Sequence, residues 1–149
     1  MKKVCSRCGQ RGIAALELAF ILPVFLVLLA FPLFFGRVFW HYSAMQRAAN
    51  DAARYLSAVP LSEIRNFARA PAVVAVANAI AQSEVAELAP GPAPILITVL
   101  CDTVGQCGGF STPTTVTVTI QLQIFDIFFS GGALNLPLTA SVTYPYLGQ

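Results

Sequence analysis

A long apolar stretch with one charge near its start constrains this chain more than any other feature. The stretch runs from Ile13 to Phe35, and Glu17 is its only charged residue. As a helix it is roughly 34 Å long, enough to cross a hydrocarbon core of about 30 Å. A carboxylate in a membrane helix costs on the order of a few kcal/mol near the bilayer centre, less near the end, and usually marks a functional position. The sequence therefore predicts one membrane-spanning helix with a functional acid near its start.

The residues around Gly12 resemble the cleavage site of type IV pilins and pseudopilins. The motif is Arg11-Gly12-Ile13-Ala14-Ala15-Leu16-Glu17-Leu18. Three later segments, 19–25, 35–37 and 46–55, are similar to the TadE group, which are minor pseudopilins of the tight-adherence (Flp, type IV) pilus system. Many members of the family carry an aromatic residue where this chain has Leu18, a departure that we interpret as a mild change in helix packing.

The resemblance implies roles for three residues. A prepilin peptidase would cut after Gly12, so that the mature chain begins at Ile13 with a free ammonium group. The Glu17 carboxylate of one subunit would neutralise the Ile13 ammonium of the next and set the assembly register, because burying either charge alone is costly. The alternative is an acid near the membrane boundary that reaches water or is protonated.

The charges predict the orientation of the chain. Lys2, Lys3, Arg7 and Arg11 precede the apolar stretch without any acid, which favours a cytoplasmic N-terminus. Arg37 and Arg47 on the far side weaken this asymmetry without reversing it. We therefore expect a single-pass protein of the bacterial inner membrane, in contact with lipid, with its C-terminal part in the periplasm. No basic patch of the kind that binds nucleic acid is visible.

A removable signal peptide is the competing interpretation of the N-terminal region. Its apolar core would be about 7–15 residues long and followed by small residues at a cleavage site. The stretch here is longer, and residues 34–40 offer no such site. The sequence therefore favours a retained span over a removed signal.

The remainder of the chain predicts an α+β fold with four parts. These are a leader peptide at 1–12, a transmembrane helix at 13–36, a helical periplasmic segment at 37–89 and an antiparallel β-sheet region at 90–149. By resemblance, the first helix extends into a pilin-like helix that packs on a small sheet.

Alanine recurs at three- and four-residue spacing after the span, which predicts that the helix continues. Asp51 lies one turn from both Arg47 and Arg54 and can pair with either. Pro60 ends this helix. A second helix is expected to start near Ser62 and to run to about Leu88, with an interruption near Pro71.

The C-terminal third has the pattern of strands. A short buried strand is predicted at 95–100. Residues 114–125 alternate between aliphatic residues and Thr or Gln, as in a half-buried antiparallel strand. A turn at 130–133 and a second alternating segment around 138–144 follow. The apolar segment 125–129 is either core or a docking patch for a partner pilin.

Cys101 and Cys107 flank a polar loop that contains glycine. In an oxidising compartment they are expected to form a disulfide, which would stabilise the exported part by about 2–2.5 kcal/mol. Free thiols or a reactive exchange pair are the alternatives.

Other chemistry is not indicated. Cys5 and Cys8 form a CxxC pair, but no second pair completes a zinc site, and we interpret them as reduced thiols that are lost with the leader. We find no phosphate-binding loop, metal-ligand cluster or nucleophile with a base, so neither a cofactor nor a metal nor enzymatic activity is expected.

The leading hypothesis is thus a minor pilin or pseudopilin that acts in assembly of a Flp/Tad-type pilus, with roles in adhesion and biofilm formation. Its expected partners are the prepilin peptidase, other pilins and pseudopilins, and the inner-membrane pilus platform. One rival is an uncleaved, membrane-anchored periplasmic binding module. A second rival is an enzyme that uses Cys101 and Cys107 for thiol exchange.

Overall fold

The computed structural model of the protein describes residues 11–88, 93–102, 105–108, 112–125 and 135–148. Three helices come first: α1 (Arg11–Ala58), α2 (Leu61–Ile64) and α3 (Ala70–Val85). Three strands follow: β1 (Leu96–Cys101), β2 (Thr115–Ile124) and β3 (Leu136–Pro145). The α+β class predicted from the sequence is confirmed. The chain divides into two compact units, residues 1–37 and 38–149.

The first unit contains the apolar part of α1. Every side chain from Ile13 to Leu29 is exposed. Within the described residues, α1 is the one helix long and apolar enough to cross a membrane. Pro23 and Pro32 each remove a backbone donor, yet the helix continues through both. Membrane helices tolerate such prolines because neighbouring groups satisfy the freed carbonyls.

The second unit begins where α1 acquires a buried face. From Val38 onwards, burial recurs at three- and four-residue spacing, which places the buried residues on one side of the helix. Small side chains dominate this face, so another element can approach the helix backbone closely. The fully buried members are Met45, Ala48, Ala49, Ala52, Ala53 and Leu56.

The second helical region is one short turn followed by a regular helix. As predicted, α1 does not continue through Pro60: it ends at Ala58, and α2, which follows Pro60, is only 4 residues long. Pro71 does not interrupt α3 but lies in its first turn. Proline suits this position because its missing N–H would have no partner in a first turn. The predicted interruption is therefore the start of the helix.

The sheet is antiparallel with the order β1-β2-β3. In the register, Val99 lies opposite Val118, and Val118 lies opposite Val142. The alternation predicted for β2 is confirmed, since its aliphatic residues are buried and its Thr and Gln residues are half-buried or exposed. The prediction of a buried β1 is wrong. Leu96 is 57% exposed, because it lies opposite exposed Gln121 in the register, and only Cys101 at the end of β1 is buried.

Hydrogen bonds attach the segment after β3 to the end of α1. The Leu147 amide donates to the Ser57 carbonyl at 3.1 Å, and the Tyr146 hydroxyl donates to the Val59 carbonyl at 2.6 Å. Burial raises the pKa of the Tyr146 phenol. The other helix, α3, contacts β1. The core of the second unit therefore lies between the helices and one face of the sheet.

Some sequence predictions fall outside the described residues. They concern Cys5 and Cys8, most of the leader, the turn at 130–133 and the segment 126–129.

Candidate functional site

The predicted cleavage and register residues lie in the first turns of α1. The Gly12–Ile13 bond lies at the N-terminal edge of the described part of α1. Ile13 is 64% exposed, and Glu17, one turn later, is exposed as well. Both residues are therefore on the surface of the first unit.

Glu17 lies among apolar side chains that are themselves exposed. Its neighbours Leu16 and Leu18 are 62% and 60% exposed. Such a helix surface is stable in lipid but not in water, and in lipid a lone carboxylate is costly.

The aromatic residues after the span divide into exposed and buried groups. Trp40 is 58% exposed and Tyr42 is 40% exposed, as expected for rings at a membrane interface. His41, which the same expectation would place at the interface, is only 2% exposed. Its ring packs edge-on against Trp40, with 5.3 Å between the ring centroids. The reason is helical phase, because His41 shares the buried face of α1 with Val38 and Met45.

Cys101 and Cys107 lie at disulfide distance, with 4.9 Å between their Cα atoms. Cys101 ends β1, and its amide donates to the Gly105 carbonyl at 2.8 Å. Gly108, with a φ of 109°, lies close to α3, since a Cβ there would be 3.0 Å from the Ala70 Cβ. The pair therefore closes a tight loop against the second helical region.

Asp102 fastens the same loop to β2. Its carboxylate accepts hydrogen bonds from the Thr114 amide at 2.7 Å, the Thr114 hydroxyl at 2.8 Å and the Thr115 amide at 3.3 Å. The bonds from Thr114 and then Thr115 lower the pKa of Asp102. Its own backbone has a φ of 60°, a conformation that Asp tolerates better than most residues. The sequence analysis missed this residue, because nothing in the sequence pairs it with threonines 12 positions away.

Two carboxylates from different helices face each other on the surface of the second unit. Burial, and then the charge of Asp51 in α1 and a hydrogen bond with it, raise the pKa of Glu84 in α3. The Asp51 pairs predicted within α1 are absent, since neither Arg47 nor Arg54 forms an ion pair with it; Arg69 instead pairs with Glu63, at 3.4 Å. Spacing along a single helix could not reveal an acid that approaches from another helix.

Metal chemistry finds no support in the described part of the chain. No group of three or more His, Cys, Asp or Glu side chains there could hold a metal ion. Structural zinc sites usually have four such ligands.

The comparison with known families finds a similarity in the N-terminal part of the chain. The family model of TadE-like proteins matches residues 12–54. This range starts at Gly12, includes Glu17 and the span, and ends within the buried face of α1. The TadE-like resemblance of the sequence is confirmed over these residues. No curated protein and no solved structure matches the chain.

Proposed function

We propose that this chain is a TadE-like minor pseudopilin that takes part in assembly of a Tad-type pilus. The main observation behind the proposal is that the family model of TadE-like proteins matches a segment that lies within a single helix, α1. In one unbroken helix, α1 joins Gly12 and Glu17 to an exposed apolar span and then to the packed second unit. A subunit built in this way can leave the membrane with its helix intact.

In this proposal a prepilin peptidase removes residues 1–12 at the cytoplasmic face of the inner membrane. The second unit lies in the periplasm, where the setting is oxidising and a Cys101–Cys107 bond would persist. The basic residues before the span support this orientation. The partners are then other pilins and pseudopilins, and the membrane platform of the pilus.

The first experiment is intact-mass and N-terminal analysis of the chain from its native membrane, with and without the prepilin peptidase. We expect a chain that starts at Ile13 only when the peptidase is present. A Gly12→Leu variant is the matched control, and it should keep its leader in both strains. A wild-type chain that starts at Met1 in both strains would contradict the proposal and favour the uncleaved binding module.

The role of Glu17 is tested separately from cleavage. We expect Glu17→Ala to insert in the membrane normally but to be recovered several-fold less in complexes with other pilus proteins, because the Ile13 ammonium then lacks its partner. Leu18→Ala is the control, since it trims the adjacent side chain without changing charge. Co-purification with pilus components is the measurement, and equal recovery of Glu17→Ala and the control would contradict the role.

The thiol-exchange rival is disfavoured by the surroundings of the cysteines. Reactive thiols have their pKa lowered by nearby cations or helix N-termini. Here the neighbour of Cys101 is Asp102, an anion. We therefore assign the pair a structural role. Labelling of Cys101 or Cys107 themselves by a thiol reagent in native protein before reduction, mapped by mass spectrometry, would overturn this assignment.

A further inference from the structure

The hydrogen bonds of β1 show which of its backbone groups face away from the sheet. The Asp102 amide, just after β1, donates to the Thr115 carbonyl of β2 at 2.8 Å. Hydrogen-bonded and non-bonded pairs alternate along an antiparallel ladder. By this alternation the backbone groups of Ile97 and Val99 point away from β2. We call this side of the strand the outer edge of β1.

The outer edge of β1 is already paired at its last residue. The Cys101 amide has the same phase as those of Ile97 and Val99, and it donates to the Gly105 carbonyl at 2.8 Å. Cys101 and Gly105 form an isolated antiparallel bridge. Further along the edge, the described sheet gives Ile97 and Val99 no partner on this side. The outer edge therefore offers two successive backbone sites to an added strand.

The opposite edge of the described sheet is protected by proline. The Tyr146 amide donates to the Thr114 carbonyl at 2.9 Å, so by the same alternation Pro137 and Pro145 face outwards on β3. Proline has no N–H to offer an added strand, and it is a common way of blocking a sheet edge. Leu96–Cys101 contains neither proline nor a charged residue. Of the two edges, the one at β1 is thus the better template for a further strand.

A groove lies beside the outer edge of β1, between that strand and α3. Its volume is about 370 Å³. The α3 wall extends from Pro71 to Asn78, which is roughly 10 Å of helix. An extended chain rises about 3.3 Å per residue, so this length suits about three residues. None of the described side chains that line this β1–α3 groove is charged; they are Pro71, Val74, Ala75, Asn78, Val99, Gln106 and Cys107.

One polar group in the groove has no hydrogen-bond partner among the described residues. The Asn78 side-chain oxygen is buried and accepts no hydrogen bond from them. A buried acceptor without a donor destabilises the folded chain, and a backbone N–H that entered the groove would satisfy it. The groove therefore combines apolar walls for side chains with an acceptor for a main-chain amide.

An antiparallel contact between the β1 edges of two copies does not suit one membrane. Such a contact has a two-fold axis perpendicular to the sheet. The end of α1 packs along a face of this sheet, where Asn50 and Val59 bond to Tyr144 and Tyr146. The rotation would therefore reverse the direction of α1 in one copy. Two single-pass chains with the same topology could not meet in this way.

We propose that the β1–α3 groove binds an extended, uncharged peptide segment of another protein, which adds to the outer edge of β1 as a further strand. The backbone of the segment pairs with Ile97 and Val99, and one of its amides donates to Asn78. Its alternate side chains contact Val74 and Ala75, so small apolar or β-branched residues fit best. This site belongs to the second unit and does not rest on the proposed pseudopilin function.

The test is the fluorescence anisotropy of a labelled peptide titrated with the full-length chain in detergent. The peptide alternates Thr and Val over about six residues, the length of a typical strand, and both of its termini are capped so that it is uncharged. Its control has the same sequence with every amide methylated, which removes the backbone donors and keeps the side chains. We expect saturable binding of the first peptide only, because strand addition depends on main-chain hydrogen bonds.

Three variants separate the edge from the fold. Val99→Pro removes one outward donor, leaves the bonds between β1 and β2 in place, and should weaken binding about tenfold. Thr139→Pro puts the same residue at an exposed, outward position of β3 and is the matched control, which should bind as wild type does. Asn78→Leu should weaken binding several-fold without lowering the melting temperature, since it removes a buried acceptor that has no donor.

Three results would overturn the proposal. The first is the absence of saturable binding by the Thr–Val peptide, or equal binding of its methylated control. The second is equal affinity of Val99→Pro and Thr139→Pro for the peptide. The third is self-association of the full-length chain that Val99→Pro abolishes and the peptide does not inhibit, because the edge would then belong to a second copy.

Discussion

The two halves of α1 differ in the burial of their side chains. The more apolar first half is the exposed one, which is the reverse of what hydrophobicity predicts for a helix in water. The first half is rich in Leu and Phe and is exposed from Ile13 to Leu29. The second half is rich in alanine, and its inner face is fully buried. In water this arrangement would be inverted. It is consistent with two solvents, because large apolar side chains suit lipid and small ones allow close packing within a protein.

The comparison predicts that the same substitution destabilises the second unit in one half of α1 and has no effect on it in the other half. Leu56 is 0% exposed, whereas Leu26 is 57% exposed. Leu56→Ala should reduce the free energy of unfolding of the second unit by about 2–5 kcal/mol, because it leaves a cavity. Leu26→Ala, the matched control, should leave that unfolding unchanged.

The measurement for both variants is thermal unfolding in detergent, followed by the fluorescence of Trp40, the single tryptophan. Trp40 belongs to the second unit and reports on it directly. Equal melting temperatures of the two variants would contradict the difference in burial between the two halves, since α1 would then be packed alike along its length.

The Cys101–Cys107 pair offers a second test of the difference between the two regions, because a bond between these cysteines would stabilise the second unit alone. Replacing both cysteines with serine should lower the free energy of unfolding by about 2–2.5 kcal/mol, the chain-entropy value for so short a loop. The melting temperature should fall by roughly 10 °C. Cys5→Ser with Cys8→Ser is the control and should have no effect. If reductant leaves the wild-type melting temperature unchanged, the bond does not contribute.

The smallest effect is expected at the Asp51–Glu84 pair on the outer side of the packed half. The raised pKa of Glu84 means that its charge is less favourable in the folded chain than in the unfolded one. The resulting destabilisation is absent at a pH below the ordinary carboxyl pKa and appears as pH rises through the raised value. Glu84→Gln should therefore stabilise the protein near pH 7, by less than about 1 kcal/mol as for exposed charge pairs.

The check on Glu84→Gln is its melting temperature relative to wild type between pH 3 and pH 7. The gain should vanish at the acidic end, where the wild-type carboxyl is protonated. Glu87→Gln is the control, since it removes a nearby carboxylate that is not part of the pair. A gain of equal size at every pH would show that repulsion by Asp51 is not its cause.

The sequence by itself determined the features that repeat along the chain. The apolar length of the span, the continuation of α1 to Pro60 and the alternation of β2 all follow from local periodicity. The motif around Gly12 and Glu17 also indicated the resemblance to TadE-like proteins, whose family model matches residues 12–54. These features could be read because each depends on neighbours in sequence or on the surrounding solvent.

The tertiary structure decided every feature that joins distant segments. It buried His41, because helical phase and not composition selects the inner face of α1. It set Asp51 against Glu84 instead of against the arginines one turn away, and it made β1 a half-exposed edge of the described sheet. It also brought the Asp102 carboxylate within hydrogen-bonding distance of Thr114. Contacts of this kind depend on how elements pack, and packing is a property of the whole folded unit.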